Sequence, residues 1–191
     1  MEILKGKKLI LASSSPRRQE LIRGLDIQFE IRVYEVEENY PSDLSNNDIP
    51  EYLARLKASV FNNKLTKNEV VVTSDTIVIN NDQILVKPSD KKQASEMLKK
   101  LSGQMHRVLT SVCLTSSDKQ VCFTEESKVY FKNLDEDEIN YYIENYNPYD
   151  KAGGYGIQDW LGFIAIEKIE GSYYNIMGLP THRLYEVLKQ F

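Results

Sequence analysis

The sequence predicts a mixed α/β fold, in which helices pack against a mixed sheet. Segments with strand-like and helix-like patterns alternate along the 191 residues, which is typical of this class. Two long alternating runs, 106–115 and 120–131, are separated by a short polar turn and predict an antiparallel hairpin. A composition of 41% hydrophobic and 27% charged residues is that of a globular protein with a core. Since no repeat or linker interrupts the pattern, residues 1–191 are predicted to form a single domain.

The first half of the chain predicts three strands and two helices. Residues 8–12 form a short apolar run typical of a buried strand. A helix is predicted directly after it, with Ser15 as its N-cap, Pro16 as its first residue and Gly24 at its end. The remaining predictions are a strand at 28–34, an amphipathic helix at 50–61 and a strand rich in β-branched residues at 69–80.

The second half continues the alternation around the hairpin. A short strand at 83–88 precedes a helix that begins after Ser89 as its cap and ends before Gly103. After the hairpin, DEDEINYYIENY is predicted to be helical, because acidic residues in a first turn favour the helix dipole. The last predictions are a glycine-rich loop at 151–158 (KAGGYGIQ), a strand at 163–169 and a helix at 181–190.

Charge and hydropathy exclude two classes of partner. The net charge of −4 argues against general affinity for nucleic acid, whose backbone is anionic. The longest apolar runs are far too short to cross a bilayer or to form the core of a signal peptide. We therefore expect a cytoplasmic protein with neither nucleic-acid nor membrane partners. The two cysteines, Cys113 and Cys122, are expected to face each other across the hairpin as reduced thiols.

The strongest local signal is SSSPRR at residues 13–18, between a predicted strand and a predicted helix. Exposed N–H groups at a helix start, hydroxyl groups and two guanidinium groups together favour an anion site. Strand-to-helix turns are also common ligand sites in α/β sheets. The alternative interpretation is a capped surface helix with two solvated arginines. The motif is not a Walker loop, because GxxxxGK[ST] does not occur.

A second signal consists of carboxylates. Glu37 and Glu38 follow a predicted strand, and Asp75 lies within an otherwise apolar run. A buried carboxylate is costly unless it is paired, hydrogen-bonded or bound to a metal. Such oxygen ligands suit Mg²⁺ or Mn²⁺, which also bind substrate phosphates. The alternatives are a solvated acidic loop for the two glutamates and an edge carboxylate for Asp75.

Isolated lysines at element ends are the third signal. Lys57, Lys87 and Lys151 could each contact triphosphate oxygens as point charges, although each alone is more typical of a surface lysine. Neither His106 nor His182 has a metal-ligand spacing to a partner, and we assign neither to catalysis. Cations for phosphates and carboxylates for a divalent metal favour phosphoryl-group hydrolysis as the leading hypothesis.

Taken together, the motifs resemble the Maf family of nucleoside-triphosphate pyrophosphatases. The resemblance covers nearly the whole chain in order. Its segments are LILASSSPRRQEL (9–21), EVEE (35–38), RLKA (55–58), SDTIV (74–78), KPSD (87–90), LSGQMHRV (101–108), KAGGYGIQ (151–158) and GSYYNIMGLP (171–180). One such motif is weak evidence, but so many in register are strong.

The resemblance implies an α/β fold like that of the inosine-triphosphate pyrophosphatases (Maf/Ham1), with two lobes and a central cleft in one domain. It implies cleavage between the α and β phosphates by a homodimer that depends on Mg²⁺ or Mn²⁺, in a house-cleaning role in nucleotide metabolism. By position, Asp75 would be the catalytic acidic residue, either as a general base toward water or as a metal ligand, and Glu37 would help to hold the metal. The residues lining the triphosphate path would be Ser13, Arg18, Lys57 and Lys87.

Three positions resemble the family branch that acts on dTTP and UTP: Arg17, Thr76 and Gln158. An amide and a hydroxyl can pair with the polar edge of an uncharged pyrimidine, whereas a methylated, positively charged guanine would favour a carboxylate. The chain departs from the family at Thr73-Ser74, Val86 and Asp159-Trp160, which bears on the substrate more than on the reaction. Two alternatives are a nucleotide-binding regulator of septation with little turnover and a pyrophosphatase that prefers 7-methyl-GTP.

Overall fold

Aliphatic and β-branched runs form the strands of a mixed sheet in the computed structural model, which describes residue 4 and residues 6–191. Within those residues the sheet has seven strands, in the order β2-β1-β3-β5-β6-β7, with β4 also paired to β3. Their bounds are β1 Lys8–Leu11, β2 Phe29–Ile31, β3 Glu69–Asn80, β4 Gln83–Leu85, β5 Met105–Thr115, β6 Gln120–Phe131 and β7 Ile166–Glu170. The predicted mixed α/β class is confirmed.

Strand pairing is parallel around β1 and antiparallel at β4 and β7. β1 runs parallel to both neighbours, with Leu9 opposite Phe29 of β2 and Val70 of β3. β4 pairs antiparallel to β3, and β7 pairs antiparallel to β6. The predicted hairpin joins β5 to β6 through a turn in which the Ser116 N–H donates to the Lys119 carbonyl at 2.8 Å. Every residue of β3 except Thr76 is buried, as expected for a strand covered on both faces.

The α-helices of the described residues are α1 Pro16–Arg23, α2 Ile49–Ser59, α3 Lys91–Leu101, α4 Glu136–Tyr146, α5 Trp160–Ala165, α6 Tyr173–Ile176 and α7 Thr181–Leu188. Several details of the prediction were wrong. The strands predicted at 28–34 and 83–88 are shorter and end at Ile31 and Leu85. Asp90, not Ser89, caps α3, because its carboxylate accepts the Gln93 N–H at 2.8 Å. The strand predicted at 163–169 begins only at Ile166, since the residues before it complete the last turn of α5. None of these helices has the length and apolar character needed to cross a membrane.

The chain divides into two compact units. The first comprises Met1–Asp75, Thr110–Glu125 and Gly178–Phe191, and the second comprises Thr76–Leu109 and Glu126–Met177. The first unit contains an apolar cluster formed by Ile10, Phe61 and Val71. The second has a core with α3 and α4 side chains such as Leu98 and Ile143. The single domain over 1–191 stays a prediction.

A disulfide joins the two cysteines of the hairpin. Cys113 and Cys122 face each other as predicted, with their Cα atoms 4.1 Å apart, but they are bonded and the expectation of reduced thiols was wrong. Such a short separation matches a directly opposed pair on neighbouring strands, where the sulfur atoms can meet. The pair packs against Ala54 and Ala58 of α2.

Candidate active site

Three consecutive polar residues of β3 lie buried in the first unit, and each is satisfied by a specific partner. The Thr73 hydroxyl donates to the Ala54 carbonyl of α2 at 2.7 Å, and the Ser74 hydroxyl donates to the Gly178 carbonyl at 3.2 Å. Asp75 follows, with 8% of its surface exposed. Burying a carboxylate in a strand requires a partner of opposite charge, and Lys57 provides it.

Lys57 projects from α2 to a point between two carboxylates. Its ammonium nitrogen lies 2.6 Å from Asp75 Oδ1 and 3.0 Å from Glu38 Oε1. Its side chain is 19% exposed, that of Asp75 is 11% exposed, and that of Glu38 is 53% exposed. The inner pair is therefore largely shielded from water, whereas Glu38 closes the group from the solvent side.

Burial governs the proton affinity of Asp75. Desolvation raises the pKa of its carboxyl group, and the positive charges of Lys57 and Arg18 oppose the increase. Glu38 adds to the increase, because a second negative charge disfavours ionisation. A carboxylate with a raised pKa is a better proton acceptor than a solvated one.

Arg18 lies beside this group on α1. Its Nε donates to the Gly178 carbonyl at 2.9 Å, and its Nη1 donates to the Ser74 carbonyl at 2.9 Å. Burial lowers the pKa of Arg18, although the Asp75 charge opposes the change; a guanidinium stays protonated in proteins all the same. The backbone of residue 74 thus fixes a cation next to the carboxylate at 75, so two motifs far apart in sequence meet.

The beginning of α1 is built as predicted, with one difference. Pro16 is its first residue and Ser15 occupies the cap position, but the Ser15 side chain makes no capping hydrogen bond. Instead, the buried Ser13 hydroxyl accepts the Ser15 N–H at 3.2 Å. The half-buried Arg17 lies close enough for its charge to lower the pKa of Arg18.

The two glutamates after β2 differ in their contacts. Glu37 is exposed and accepts a hydrogen bond from Asn39 at 3.3 Å, whereas Glu38 contacts Lys57. Among the described residues, no group of three or more His, Cys, Asp or Glu side chains could hold a metal ion. Mg²⁺, however, is often bound by one or two carboxylates together with substrate phosphates and water. The carboxylates of Asp75 and Glu38 converge on one cation, which fits that kind of site.

The remaining predicted residues belong to the second unit. Thr76 is half-buried directly after Asp75, and Lys87 is exposed between β4 and the buried Pro88. Gln158 ends the glycine-rich loop, and its buried amide oxygen has no hydrogen-bond partner in the described part of the chain. Buried acceptors are nearly always satisfied, so this oxygen is a candidate for contact with a ligand.

Lys151 opens the same loop and has a different environment from the one expected of a phosphate ligand. Its ammonium lies 2.8 Å from Asp150 and 3.6 Å from Asp159, and its side chain is only 12% exposed. Gly153 and Gly154 follow with φ of 72° and 73°, a left-handed backbone that favours glycine. Both carboxylate contacts are local to the loop.

Sequence reasoning named Glu38 among the candidate carboxylates but assigned only Glu37 to the metal by position. It assigned no role to the carbonyls of Ser74 and Gly178. Of two adjacent glutamates in a loop, the sequence gives no sign of which one reaches Lys57. The carbonyl acceptors of Arg18 are backbone atoms, which leave no trace in side-chain patterns. A signal for Gly178 did exist, because it lies in the segment GSYYNIMGLP, and its φ of 103° requires glycine.

Comparisons with known proteins identify the family to which the chain belongs. The model of the family described as Maf-like protein matches residues 8–191. A dTTP/UTP pyrophosphatase of Parabacteroides distasonis is 48% identical over 192 residues and covers 100% of both chains. That of Flavobacterium johnsoniae is 51% identical over 187 residues, 98% of this chain and 96% of the relative. The solved Ham1 protein of Staphylococcus aureus is a distant likeness, with a TM-score of 0.46 and 14% identity over 65% of this chain and 72% of that one. Because the family model spans nearly the whole sequence, the chain belongs to the Maf family.

Proposed function

We propose that this chain hydrolyses dTTP and UTP to the monophosphate and pyrophosphate. The names of its full-length relatives support the substrate and the reaction. The observation that carries the proposal is the position of the Lys57 ammonium, 2.6 Å from Asp75 and 3.0 Å from Glu38, with Arg18 held beside Asp75. The cations can bind an anionic chain through charge, and the buried carboxylate beside them can accept a proton from water.

The cations of the first unit are proposed to bind the triphosphate. Arg18 and Lys57 would contact phosphate oxygens, and Arg17 and the Ser13 hydroxyl would extend the path. Lys87 of the second unit is exposed and is proposed to contribute a further point charge. Paired cations hold phosphates mainly through charge, so substitution of any one should weaken binding of all triphosphates alike.

Asp75 and Glu38 are the residues that would hold a divalent ion, Mg²⁺ or Mn²⁺. When bound, such an ion neutralises charge that develops on the phosphate oxygens. Glu37, assigned to this role by position in the sequence, is one residue away and contacts Asn39. The contacts of Lys57 support Glu38 as the second carboxylate.

Asp75 is proposed to accept the proton of the attacking water. The water oxygen forms a bond to the α phosphorus, the bond from that phosphorus to the oxygen bridging to the β phosphorus breaks, and pyrophosphate leaves with the electron pair. The raised pKa of Asp75 favours this transfer. Positively charged Lys57 and Arg18 then stabilise the charge that builds up on the triphosphate.

Gln158 is proposed to recognise the base. Its buried, unpartnered amide oxygen, as judged among the described residues, can accept the N3–H of uracil or thymine. The amide nitrogen can donate to a ring carbonyl, and the Thr76 hydroxyl offers a further polar contact. Cytosine carries no hydrogen at N3, so CTP should be a poorer substrate.

The decisive experiment measures products released by the wild-type protein and by Asp75→Asn. We expect pyrophosphate from dTTP and UTP in the presence of Mg²⁺ or Mn²⁺, and a drop in kcat of about 10³-fold in the variant. Asp43→Asn, at an exposed loop position, is the matched control and should retain full activity. Orthophosphate as the product, or an active Asp75→Asn, would contradict the proposal.

A substrate panel separates this proposal from its alternatives. Wild-type protein should prefer dTTP and UTP to CTP and to 7-methyl-GTP. Preference for 7-methyl-GTP would move the chain to another branch of the family, and tight binding without turnover would favour a regulator. The homodimer and the cytoplasmic location remain predictions. Size-exclusion chromatography with light scattering measures the molar mass and tests whether the protein is a dimer.

A further inference from the structure

A tyrosine hydroxyl links both ends of the turn that carries Gln158. The Tyr142 hydroxyl of α4 donates to Asp159 Oδ2 at 2.9 Å and accepts the Gly156 N–H at 3.0 Å. The turn is also closed by its own backbone, because the Asp159 N–H donates to the Gly156 carbonyl at 3.1 Å. Gln158 therefore lies between Gly156, whose backbone N–H the Tyr142 hydroxyl contacts, and Asp159, whose carboxylate it contacts.

Gly156 and the Asp159 side chain are also in close contact. A Cβ atom placed on Gly156 would lie 2.5 Å from Asp159 Oδ2 and 3.0 Å from Lys151 Cε. No side chain fits in this space, so glycine is required for the contact between the carboxylate and the lysine stem. Lys151 Nζ lies 3.6 Å from Asp159 Oδ2 and compensates its charge.

The Asp159 carboxylate does not cap α5, although Asp159 occupies the N-cap position of that helix. Aspartate at this position usually accepts a backbone N–H of the first turn, but the Asp159 side chain makes no capping bond among the described residues. It contacts Tyr142 and Lys151 instead. Burial raises the pKa of Tyr142, which keeps the hydroxyl protonated and able both to donate and to accept.

We propose that Tyr142 and Asp159 are positioning residues for pyrimidine selectivity: the clamp formed by Tyr142, Gly156 and Asp159 fixes the turn so that the Gln158 amide faces the base in one orientation. This inference rests on the proposed role of Gln158 as the group that recognises the base. Neither Tyr142 nor Asp159 needs to touch the substrate, because they act through the backbone on either side of Gln158.

A double-mutant cycle of Tyr142→Phe and Gln158→Ala tests the inference. Equilibrium binding of UTP and of CTP is measured by calorimetry in EDTA, so that no nucleotide is hydrolysed. We expect Tyr142→Phe to weaken UTP binding about tenfold, the loss typical of one hydrogen bond, with less than about a twofold change for CTP. In the Gln158→Ala background the same substitution should change UTP binding by less than about twofold, because coupled residues are not additive.

Matched variants separate positioning from general stability. Tyr146→Phe makes the same chemical change on the ring stacked against Tyr142, 5.2 Å away between centroids, and should leave the preference for UTP intact. If Tyr142→Phe fails to fold, Asp159→Ala, at a half-buried site, replaces it and should reduce the preference for UTP over CTP. Asp159→Asn, which keeps an acceptor oxygen, should retain most of that preference. Trp160, the single tryptophan, follows Asp159 and reports the turn by its fluorescence.

The outcomes decide the inference independently of the reaction. Equal weakening of UTP and CTP by Tyr142→Phe, or an undiminished effect in Gln158→Ala, overturns it. So does a wild-type protein that binds UTP no better than CTP. If the wild-type protein releases no pyrophosphate but the cycle shows the expected coupling, the proposed hydrolysis fails and the positioning role stands.

Discussion

Each unit contains a buried polar group that illustrates a different way of stabilising such a group. In the first, Asp75, Lys57 and Arg18 are charged, and each is placed next to an opposite charge. In the second, His106 and Tyr155 are buried and uncharged, with His106 Nε2 and the Tyr155 hydroxyl 2.7 Å apart. Charged pairs can bind and neutralise a substrate, whereas neutral pairs fix a shape without attracting ions.

The difference indicates where substitutions should act. Removing one member of the charged group leaves the other charge buried and uncompensated, and should affect chemistry first. Altering the neutral group should affect stability first, because His106 packs edge-on against Phe131 and Tyr155 at centroid distances of 5.0 and 5.4 Å. Three measurements test whether the two groups differ in this way.

The largest effect is expected for Lys57→Ala. The variant removes the cation between two carboxylates, and we expect kcat/KM for UTP to fall at least about 10²-fold. Because the Lys57 charge lowers the pKa of Asp75, its loss should also move the acidic limb of the pH–rate profile to higher pH. Lys64→Ala, an exposed lysine of the same unit, should leave both unchanged. An unshifted acidic limb would show that Asp75 does not control the rate.

The next effect concerns stability at low pH. Burial lowers the pKa of His106 to about 3 from an ordinary value of 6.5. The unfolded chain therefore binds a proton below about pH 6.5 that the folded chain does not bind, and stability falls as the pH decreases through that window. We expect the free energy of unfolding to be about 2 kcal/mol lower at pH 5 than at pH 7.5 from this group alone.

Urea unfolding at the two pH values measures this change. His106→Gln should lose most of the pH dependence, whereas His182→Gln, at an exposed position, should retain it. If the free energy of unfolding changed equally with pH in both variants, groups other than His106 would be responsible for the acid sensitivity.

The smallest of the three effects distinguishes the two glutamates. Because Glu38 and not Glu37 contacts Lys57, Glu38→Gln should weaken Mn²⁺ binding in the presence of a non-hydrolysable UTP analogue by about tenfold, roughly 1.4 kcal/mol. Glu37→Gln is its matched control, with the same charge change one residue away. The reverse order would restore the assignment made from the sequence.

Local patterns were sufficient for most of the fold. β3 was predicted with its observed bounds, because a run of β-branched residues ends at Asn80 before a polar turn. The start of α1 at Pro16 was predicted because serine is common at the N-cap and proline at the first position of a helix. The cap of α3 was not, since Ser89 and Asp90 are both good caps and only the geometry of the Gln93 N–H decides between them.

The sequence indicated which residues form the candidate site better than it indicated which of them contact one another. Asp75 stood out because a carboxylate in an apolar strand needs a partner, and Lys57 supplies it. The sequence could not indicate that Tyr142 reaches across to the turn at Gly156, because residues on separate elements meet only through the tertiary fold. The family resemblance assigned residues from distant segments to one site, which the pattern of hydrophobic residues could not do.

The cross-link between Cys113 and Cys122 has a practical consequence for every rate measured on this enzyme. It lies under Ala54 and Ala58, on the helix that also carries Lys57, and Cys122 is only half-buried. A preparation stored in dithiothreitol and one stored without it would therefore differ in the packing beneath the helix that carries Lys57. Kinetic constants from two laboratories are comparable only when the free thiols per chain have been counted in both.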